Sequence, residues 1–336
     1  MSILVTGGTG YIGSHTLVEL LNAGESVVVI DNLSNSKIEV LNRIRMITHK
    51  NVTFYQADIL NRAFLSEIFE KEDIKTVIHF AALKSVEESI LQPSLYYKNN
   101  VMGLINLLEV MEEYHVKNLV YSSSATVYGT SEIIPVVENA RLHAVNPYGK
   151  TKIICEDILK DLYESDKSYN ITILRYFNPI GAHISGLIGE DPLGESKNLL
   201  PILTQVAIGK KREVSVFGSD YDTPDGTGVR DFIHVVDLAL GHIKAIEHLN
   251  GLHTYNLGTG KGTSVLEVIK TFEKVSKRQI RYNLTDRRSG DVSVSYADCT
   301  LAYEELGWEA KRNLDAMCLD AWRWQFRNPM GYPVRR

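Results

Sequence analysis

Tyr148 and Lys152 stand one helical turn apart in the stretch Asn146-Pro147-Tyr148-Gly149-Lys150-Thr151-Lys152. A phenol stacked on an ammonium can do acid–base chemistry. The positive charge favours the phenolate, lowers a pKa that is normally near ~10, and makes the oxygen a base toward a sugar hydroxyl. The spacing alone is common: Tyr163 and Lys167 repeat it and read as a solvated helix face. What sets the first pair apart is Ser124, just past the apolar strand Asn118 to Ser122, whose hydroxyl can serve the same reacting oxygen. A polar strand-end turn is the bland reading of Ser122-Ser123-Ser124. A second motif, at the start of the chain, decides against it.

That motif is Gly7-x-x-Gly10-x-x-Gly13, preceded by the strand Ser2 to Thr6 and followed by a helix from Ser14 to Asn22. A further strand, Ser26 to Ile30, ends at Asp31. Strand, glycine turn, helix, strand and acid in this order form a dinucleotide site. Glycines let a pyrophosphate approach the backbone, and the helix aims its free N–H groups at the anion. Asp31 is placed to accept from the adenosine ribose. A carboxylate there repels a 2′-phosphate, so the expected cofactor is NAD rather than NADP.

The elements that must position these groups follow an alternating pattern. Apolar strands are expected at Val52 to Gln56, Thr76 to Phe80, Asn118 to Ser122 and Asn170 to Leu174. Helical periodicity covers Ser36 to Ile47, Arg62 to Lys71, Ser94 to His115 and Pro147 to Glu164, with Asn146 as N-cap and Pro147 at the first helical position. The pattern predicts an α/β fold with a Rossmann-type, doubly wound parallel sheet. Polar residues gather at the carboxyl ends of its strands: Asp31, Asp58, Lys84 and Ser122 to Ser124. From about Pro179 glycine, proline and aspartate become frequent and the elements shorten, as in Val214 to Phe217, Val235 to His248, Thr254 to Leu257 and Leu314 to Phe326. The expected division is residues 1–178 as the cofactor domain and 179–336 as a smaller α/β substrate lobe, interleaved at the boundary, with the active site in the cleft between them.

A chain of 336 residues can bury a large core, and its net charge of −5 argues against nucleic-acid binding. Cys155, Cys299 and Cys318 lie far apart and read as reduced thiols of a cytoplasmic protein. No signal-peptide pattern precedes the glycine turn, and no apolar run reaches the length of a membrane span. The histidines are scattered, so no metal site is expected. His234-Val235-Val236-Asp237 reads as a structural turn into a helix.

Longer strings carry a resemblance. The glycine motif, Ser124 and Tyr148-x-x-x-Lys152 resemble the extended short-chain dehydrogenase/reductase superfamily. Val5 to Thr16, Asp31 to Ser36, Ser122 to Gly129 (SSSATVYG), Leu174 to Asn178 (LRYFN), Asp225 to Val235 (DGTGVRDFIHV) and Trp322-x-Trp324 narrow it to the UDP-glucose 4-epimerase family, over nearly the whole chain. The resemblance implies reversible inversion at C4 of a UDP-hexose through a 4-keto sugar, with NAD kept bound. Tyr148 would take the O4 proton, Ser124 would bridge O4 and the phenol, and Lys152 would hold the nicotinamide ribose. On the NAD side the matching positions are Gly7, Gly10, Tyr11, Ile12, Gly13, Asp31, Asn32, Asn35 and Ser36. Asp58, Ile59, Phe80, Ala81, Ala82, Lys84, Asn99, Ser122 and Phe177 complete that side. On the UDP-sugar side Arg230 and Arg288 would clamp the pyrophosphate. Asp291 would take a ribose hydroxyl, Asn178 would meet the diphosphate, and Asn198, Leu199, Val216 and Phe217 would line the uridine. Lys84, Ser124, Tyr148 and Ser295 would surround the hexose. Taken alone, Asp286-Arg287-Arg288 is a surface charge cluster and Lys84 a loop lysine.

One departure matters. Family members restricted to unmodified hexoses carry a tyrosine just before the aromatic-Ala-Asp string. Here Ser295 precedes Tyr296-Ala297-Asp298, which leaves room for an N-acetyl group. The family also implies a homodimer formed through the helices Ser94 to His115 and Pro147 to Glu164. Two rival readings share the fold. A nucleotide-sugar 4,6-dehydratase needs an Asp-Glu pair before the Val-Tyr-Gly string, where this chain has Ala125-Thr126. A non-catalytic NAD scaffold keeps the glycine turn without the tyrosine or lysine.

Overall fold

Strand β1 (Ser2–Thr6) and α1 (Tyr11–Asn22) begin an alternation continued by β2 (Val27–Asp31), α2 (Glu39–Thr48), β3 (Thr53–Gln56), α3 (Arg62–Lys71) and β4 (Ile74–His79). Then come α4 (Val86–Leu91), α5 (Pro93–Tyr96), a π-helical turn (Tyr97–Met102), α6 (Gly103–Glu113) and β5 (Asn118–Ser122). A 3-10 turn (Ala125–Val127), α7 (Pro147–Ser165) and β6 (Asn170–Tyr176) follow. This computed structural model describes residues 2–288 and 290–333.

All adjacent strands of the main sheet are parallel, in the order β11-β6-β5-β4-β1-β2-β3, where β11 is Leu252–Leu257. The central strands are runs of buried aliphatic residues, as a parallel sheet covered on both faces requires. One core packs α1 and α2 on one face around Val5, Leu17, Val29 and Ile44; the other packs α3, α6 and α7 around Leu65, Leu107, Leu119 and Leu159. Each fully buried aliphatic side chain contributes about 1.5–3 kcal/mol. The strand order reverses at β1, which pairs Thr6 with Ile30 on one side and His79 on the other. Gly7, Asp31 and Phe80 therefore emerge side by side at the switch point, where ligands bind in such sheets.

The rest of the chain supplies β7 (Asn178–Ile180), α8 (Leu199–Ala207), β8 (Val214–Phe217), β9 (Val229–Arg230), β10 (Phe232–His234) and α9 (Val235–Glu247). After β11 come β12 (Thr263–Ser264), α10 (Val265–Ser276), β13 (Tyr282–Thr285), β14 (Val294–Ser295), α11 (Thr300–Leu306) and α12 (Leu314–Arg327). Helices α8, α10 and α12 enclose a third core with Val214, Val216 and Phe272.

Several elements differ from expectation; helix α1 begins at Tyr11 rather than Ser14, and β6 runs on to Tyr176. The single helix expected over Ser94 to His115 is α5, a π turn and α6. The widened turn lets buried Asn100 take Leu83 N (2.8 Å) on its Oδ1 and donate to Leu83 O (3.0 Å) and Thr151 Oγ1 (3.1 Å). Helix α2 starts at Glu39 rather than Ser36, because the Ser36 hydroxyl is committed to Asp31 and Thr9. The strand expected at Thr254 to Leu257 joins the main sheet beside β6, and α9 packs against α1, so the later half of the chain returns to complete the first.

Candidate active site

Asn146 opens α7 as the sequence predicts: its Oδ1 accepts from Gly149 N at 2.9 Å, with Pro147 in the first turn. The helix carries Tyr148 and Lys152, both buried, against the end of β5. Lys152 Nζ donates to the carbonyl of Ser122 at 2.6 Å and lies 4.8 Å from the centre of the Tyr121 ring. Burial lowers its pKa to about 8, opposed by Cys155 and Glu156. Ser124 Oγ accepts from Thr126 N (3.2 Å) and Thr126 Oγ1 (2.9 Å), leaving its own proton for the phenol.

The expectation that Lys152 lowers the Tyr148 pKa needs correction. Burial raises it, and the group that pulls it down is the Ser124 hydroxyl. The ammonium is engaged with the strand-end carbonyl instead, which it fixes in place. By contrast, Lys167 lies exposed over the Tyr163 ring, 4.2 Å from its centre, and pairs with Glu164, as a solvated face should.

The glycine cradle passes a steric test. Gly7 has φ +70°, and a Cβ there would sit 2.7 Å from Ala81 N; a Cβ on Gly13 would sit 2.5 Å from Gly7 O. Gly10 caps α1 without a side chain, and the first turn holds no acidic residue. The amides of Tyr11 and Ile12 therefore face an open, electropositive corner. Asp31 is rigidly held: its carboxylate accepts from Thr9 N (3.1 Å), Leu33 N (2.9 Å) and Ser36 Oγ (3.1 Å). Asn32 Nδ2 donates to Asp58 Oδ2 at 3.0 Å, while Asn35 lies exposed on the same loop. These residues fit NAD: amides for a pyrophosphate, a fixed carboxylate for a ribose.

Other predicted cofactor residues divide by how they face. Tyr11 Oη donates to Gly181 O at 2.7 Å, joining the cradle to the later half of the chain. Asn99 Nδ2 donates to Asn100 Oδ1 at 3.0 Å, beside the loop of Ala81, Ala82 and Lys84. Phe177 is buried. Ile59 packs on Gly103, and Phe80 packs on His242 with ring centres 4.7 Å apart, so both offer backbone rather than side chain.

On the substrate side, Arg288 Nε donates to Asp291 Oδ2 at 2.9 Å and its guanidinium lies 4.6 Å from the centre of the Phe217 ring, which brings three predicted residues together. Burial lowers the pKa of Arg230, with Asp291 opposing. Asn178 is exposed at the start of β7, held by its N–H on Asp231 O at 3.0 Å. Val216 departs from the expectation of a lining side chain. The strand alternation turns its side chain into the third core, and its backbone faces β13, as the flanking bonds from Val214 N to Arg281 O (2.9 Å) and from Gly218 N to Thr285 O (2.9 Å) require. Asn198 precedes α8 and donates to Glu190 Oε1 at 2.6 Å; Lys84 Nζ reaches the same oxygen at 3.5 Å, and Leu199 begins the helix. No periodicity links Glu190 to Lys84 or Asn198, so the sequence does not point to it. Tyr176, whose hydroxyl bonds Ser122 Oγ, and the pair Glu156–Arg175 also lie beside predicted site residues, and no motif spacing in the sequence points to them. Arg175 and Tyr176 lie in the LRYFN string, and Glu156 is one turn beyond Lys152; those positions are the available signal. His234 caps α9, its Nδ1 accepting from Val236 N at 3.1 Å. No cluster of three His, Cys, Asp or Glu side chains suited to a metal ion occurs among the described residues.

A family model described as GDP-mannose 4,6 dehydratase matches residues 4–321. The UDP-glucose 4-epimerase of Bacillus subtilis (strain 168) is 57% identical over 335 residues, covering 99% of both chains. The chain belongs to the UDP-glucose 4-epimerase family. Two solved epimerase structures superpose on it with TM-scores of 0.96. One, from Bifidobacterium longum in complex with NAD+ and UDP, is 49% identical and covers 99% of this chain and 100% of its own. The other, from Stenotrophomonas maltophila with NAD and formylated UDP-arabinopyranose, is 48% identical and covers 98% and 99%. The dehydratase description of the broader family model meets an epimerase-type site here: Ala125-Thr126 supply no carboxylate, and Thr126 Oγ1 is spent on Ser124.

Proposed function

We propose that the protein interconverts UDP-galactose and UDP-glucose by inverting C4 of the hexose, with NAD held throughout. The observation that carries this reading is the buried Ser124–Tyr148 pair at the carboxyl edge of the sheet that also forms the glycine cradle. Bound NAD supplies a reversible store for the C4 hydride. The protein's own residues do the rest. Tyr148 accepts the O4 proton as hydride leaves C4 and returns it to O4 once the 4-keto sugar has turned and taken hydride on its other face, and Ser124 relays the proton by bonding both oxygens. Lys152 holds the Ser122 carbonyl and places a positive charge beside the nicotinamide ribose.

The remaining residues bind and orient. The Gly7–Gly13 turn takes the pyrophosphate on the amides of Tyr11 and Ile12, and Asp31 takes the adenosine ribose. Arg230 and Arg288 clamp the UDP diphosphate with Asn178, and Asp291 takes the uridine ribose. Phe217, Asn198 and Leu199 line the base, with Val216 supporting the strand of Phe217 from the core. Residues 1–178 hold the cofactor and 179–336 the nucleotide sugar, with α9 and β11 returning to the first part. No helix among the described residues is long and apolar enough to cross a membrane. Three unpaired thiols suit a reducing compartment, the cytoplasm.

We further propose activity on N-acetylated UDP-hexosamines. Val294 and Tyr296 line one groove, so alternation turns Ser295 to the opposite face, beside Arg230. A homodimer through α5–α6 and α7 is supported by the apolar groups those elements leave exposed: Leu95, Met102 and Ile154.

The test is incubation of purified protein with UDP-galactose without added NAD, with nucleotide sugars separated by chromatography. Conversion to UDP-glucose is expected. A dehydratase would yield a 4-keto-6-deoxy sugar and a scaffold would leave the substrate unchanged; either result rejects the reading.

A further inference from the structure

A buried polar chain joins the catalytic helix to the strand that carries Ser295. It starts at Glu156, fully buried on the α7 face that also presents Tyr148 and Lys152. The Glu156 carboxylate accepts from Ser123 Oγ at 2.5 Å, the residue beside Ser124. It also takes the Arg175 guanidinium in a fork, Nε at 2.9 and 3.2 Å and Nη2 at 2.5 Å. Arg175 Nη1 then donates to Tyr128 Oη at 3.0 Å and to the Glu138 carbonyl at 2.7 Å.

From Tyr128 and Glu138 the chain reaches the pocket wall. Tyr128 Oη donates to Asn256 Oδ1 at 2.6 Å, and Asn256 N donates to Glu138 Oε1 at 2.8 Å. Asn256 Nδ2 donates to the carbonyls of Val136 (2.9 Å) and Asp298 (3.3 Å). Val136 N donates to Tyr296 O at 2.9 Å, and Asp298 N to Val136 O at 2.8 Å. Ser295 is the residue before Tyr296. A buried ion pair of this kind gives no stability that well-packed apolar residues would not match, yet its geometry is rigid because Arg175 is held at Nε, Nη1 and Nη2 and Asn256 at N, Oδ1 and Nδ2. The fork needs the planar guanidinium; a lysine cannot span Glu156, Tyr128 and Glu138 at once.

We infer that Arg175 is a positioning residue that sets the sugar-pocket wall at Ser295 against the Ser124–Tyr148 pair, without itself touching the substrate. This rests on the proposed UDP-sugar activity for its kinetic consequence, though not for its structural one. Two variants test it: Arg175→Lys, and Tyr128→Phe, which keeps the ring and removes only the linking oxygen. Amide hydrogen exchange is measured in both, with kcat and KM on UDP-galactose and UDP-N-acetylgalactosamine.

Tyr128→Phe is expected to speed exchange at the Val136 and Asp298 amides about ten-fold while leaving the amides of β5 unchanged. It is also expected to change the ratio of kcat/KM between the two sugars by roughly five-fold. Arg175→Lys is expected to do both and to lower kcat on either sugar by about 100-fold. Unchanged exchange in Tyr128→Phe overturns the inference, as does an unchanged sugar ratio. A merely structural role would lower the unfolding midpoint and leave that ratio alone. Should Arg175→Lys fail to fold, Tyr128→Phe decides alone. If the wild type turns over neither sugar, the functional reading fails and the exchange result still decides the linkage.

Discussion

The ammonium of Lys152 donates to the carbonyl of Ser122, across from its own helix, rather than to the phenol one turn before it. Its burial lowers its pKa to about 8. The charge that the site needs is therefore lost just above neutrality. The Tyr148 phenolate is still gaining over that range, so we expect wild-type kcat/KM to rise with pH and level off above about 8. Lys152→Met should be slower by about 100-fold and should keep rising through that range. The same shift has a signature in stability. The folded pKa lies below the unfolded one, so between about 8 and 10.5 the unfolded chain holds more protons and folding gains stability as pH rises. Urea unfolding at pH 7.5 and at pH 10 should show the wild type gaining on Lys152→Met; no gain refutes the assignment.

Ser124 is the group that lowers the Tyr148 pKa against the effect of burial. Ser124→Ala should raise that pKa further and leave less phenolate at neutral pH. The expected outcome is a loss of about 100-fold in kcat at pH 7 and an acid limb of the pH–rate profile displaced upward. A limb that stays in place would mean that the hydroxyl does not tune the base.

Much of this architecture is legible in the residues. The apolar runs of β1, β2 and β5, the glycine turn and the Asn146-Pro147 start of α7 are local signals, and each appears where it points. Helix α10 could also have been found: Ser264-x-x-Glu267 is the pattern of a capping box, and Ser264 Oγ accepts from Glu267 N at 3.1 Å. What is not legible is long-range. Lys152 meets a backbone carbonyl, which no side-chain pattern reports. Asn100 widens its helix because of partners at Leu83 and Thr151. Val216 belongs to the positions the resemblance singles out, yet its side chain fills the core, which only tertiary packing reveals. Glu156 reads as an ordinary helix residue and Arg175 lies just past the strand expected at Asn170 to Leu174; their pairing appears only when the sheet brings them together.

Asp31 holds its loop and, in the proposed reading, also takes the adenosine ribose; the two roles separate experimentally. It holds Thr9 N and Leu33 N, so Asp31→Ala should destabilise the protein by about 1–3 kcal/mol, the cost of stranding buried donors. It should also weaken NAD binding by roughly 10- to 100-fold through loss of the charged acceptor. Asp31→Asn retains an acceptor for the loop and should recover most of the stability but little of the affinity. Calorimetric unfolding and titration with NAD after removal of bound nucleotide measure the two effects. Equal recovery of both would show that the carboxylate serves the loop alone.

Ser295 tests the pocket wall directly. Its carbonyl accepts from Asp231 N at 3.0 Å, and its strand pairs with β9, so the backbone is fixed and a larger side chain must project into the space that its alternation gives it. A tyrosine there would fill the volume an N-acetyl group needs while sparing a hydrogen-bonded hydroxyl. Ser295→Tyr should therefore lose conversion of UDP-N-acetylgalactosamine by about 100-fold or more and keep UDP-galactose turnover within a few-fold, as expected for steric exclusion. Parallel assays on the two sugars, with the unfolding midpoint as a control, give the answer. Survival of both activities would place the acetamido group elsewhere in the cleft. Loss of both would mean that the strand had moved, and would show up as a lowered midpoint.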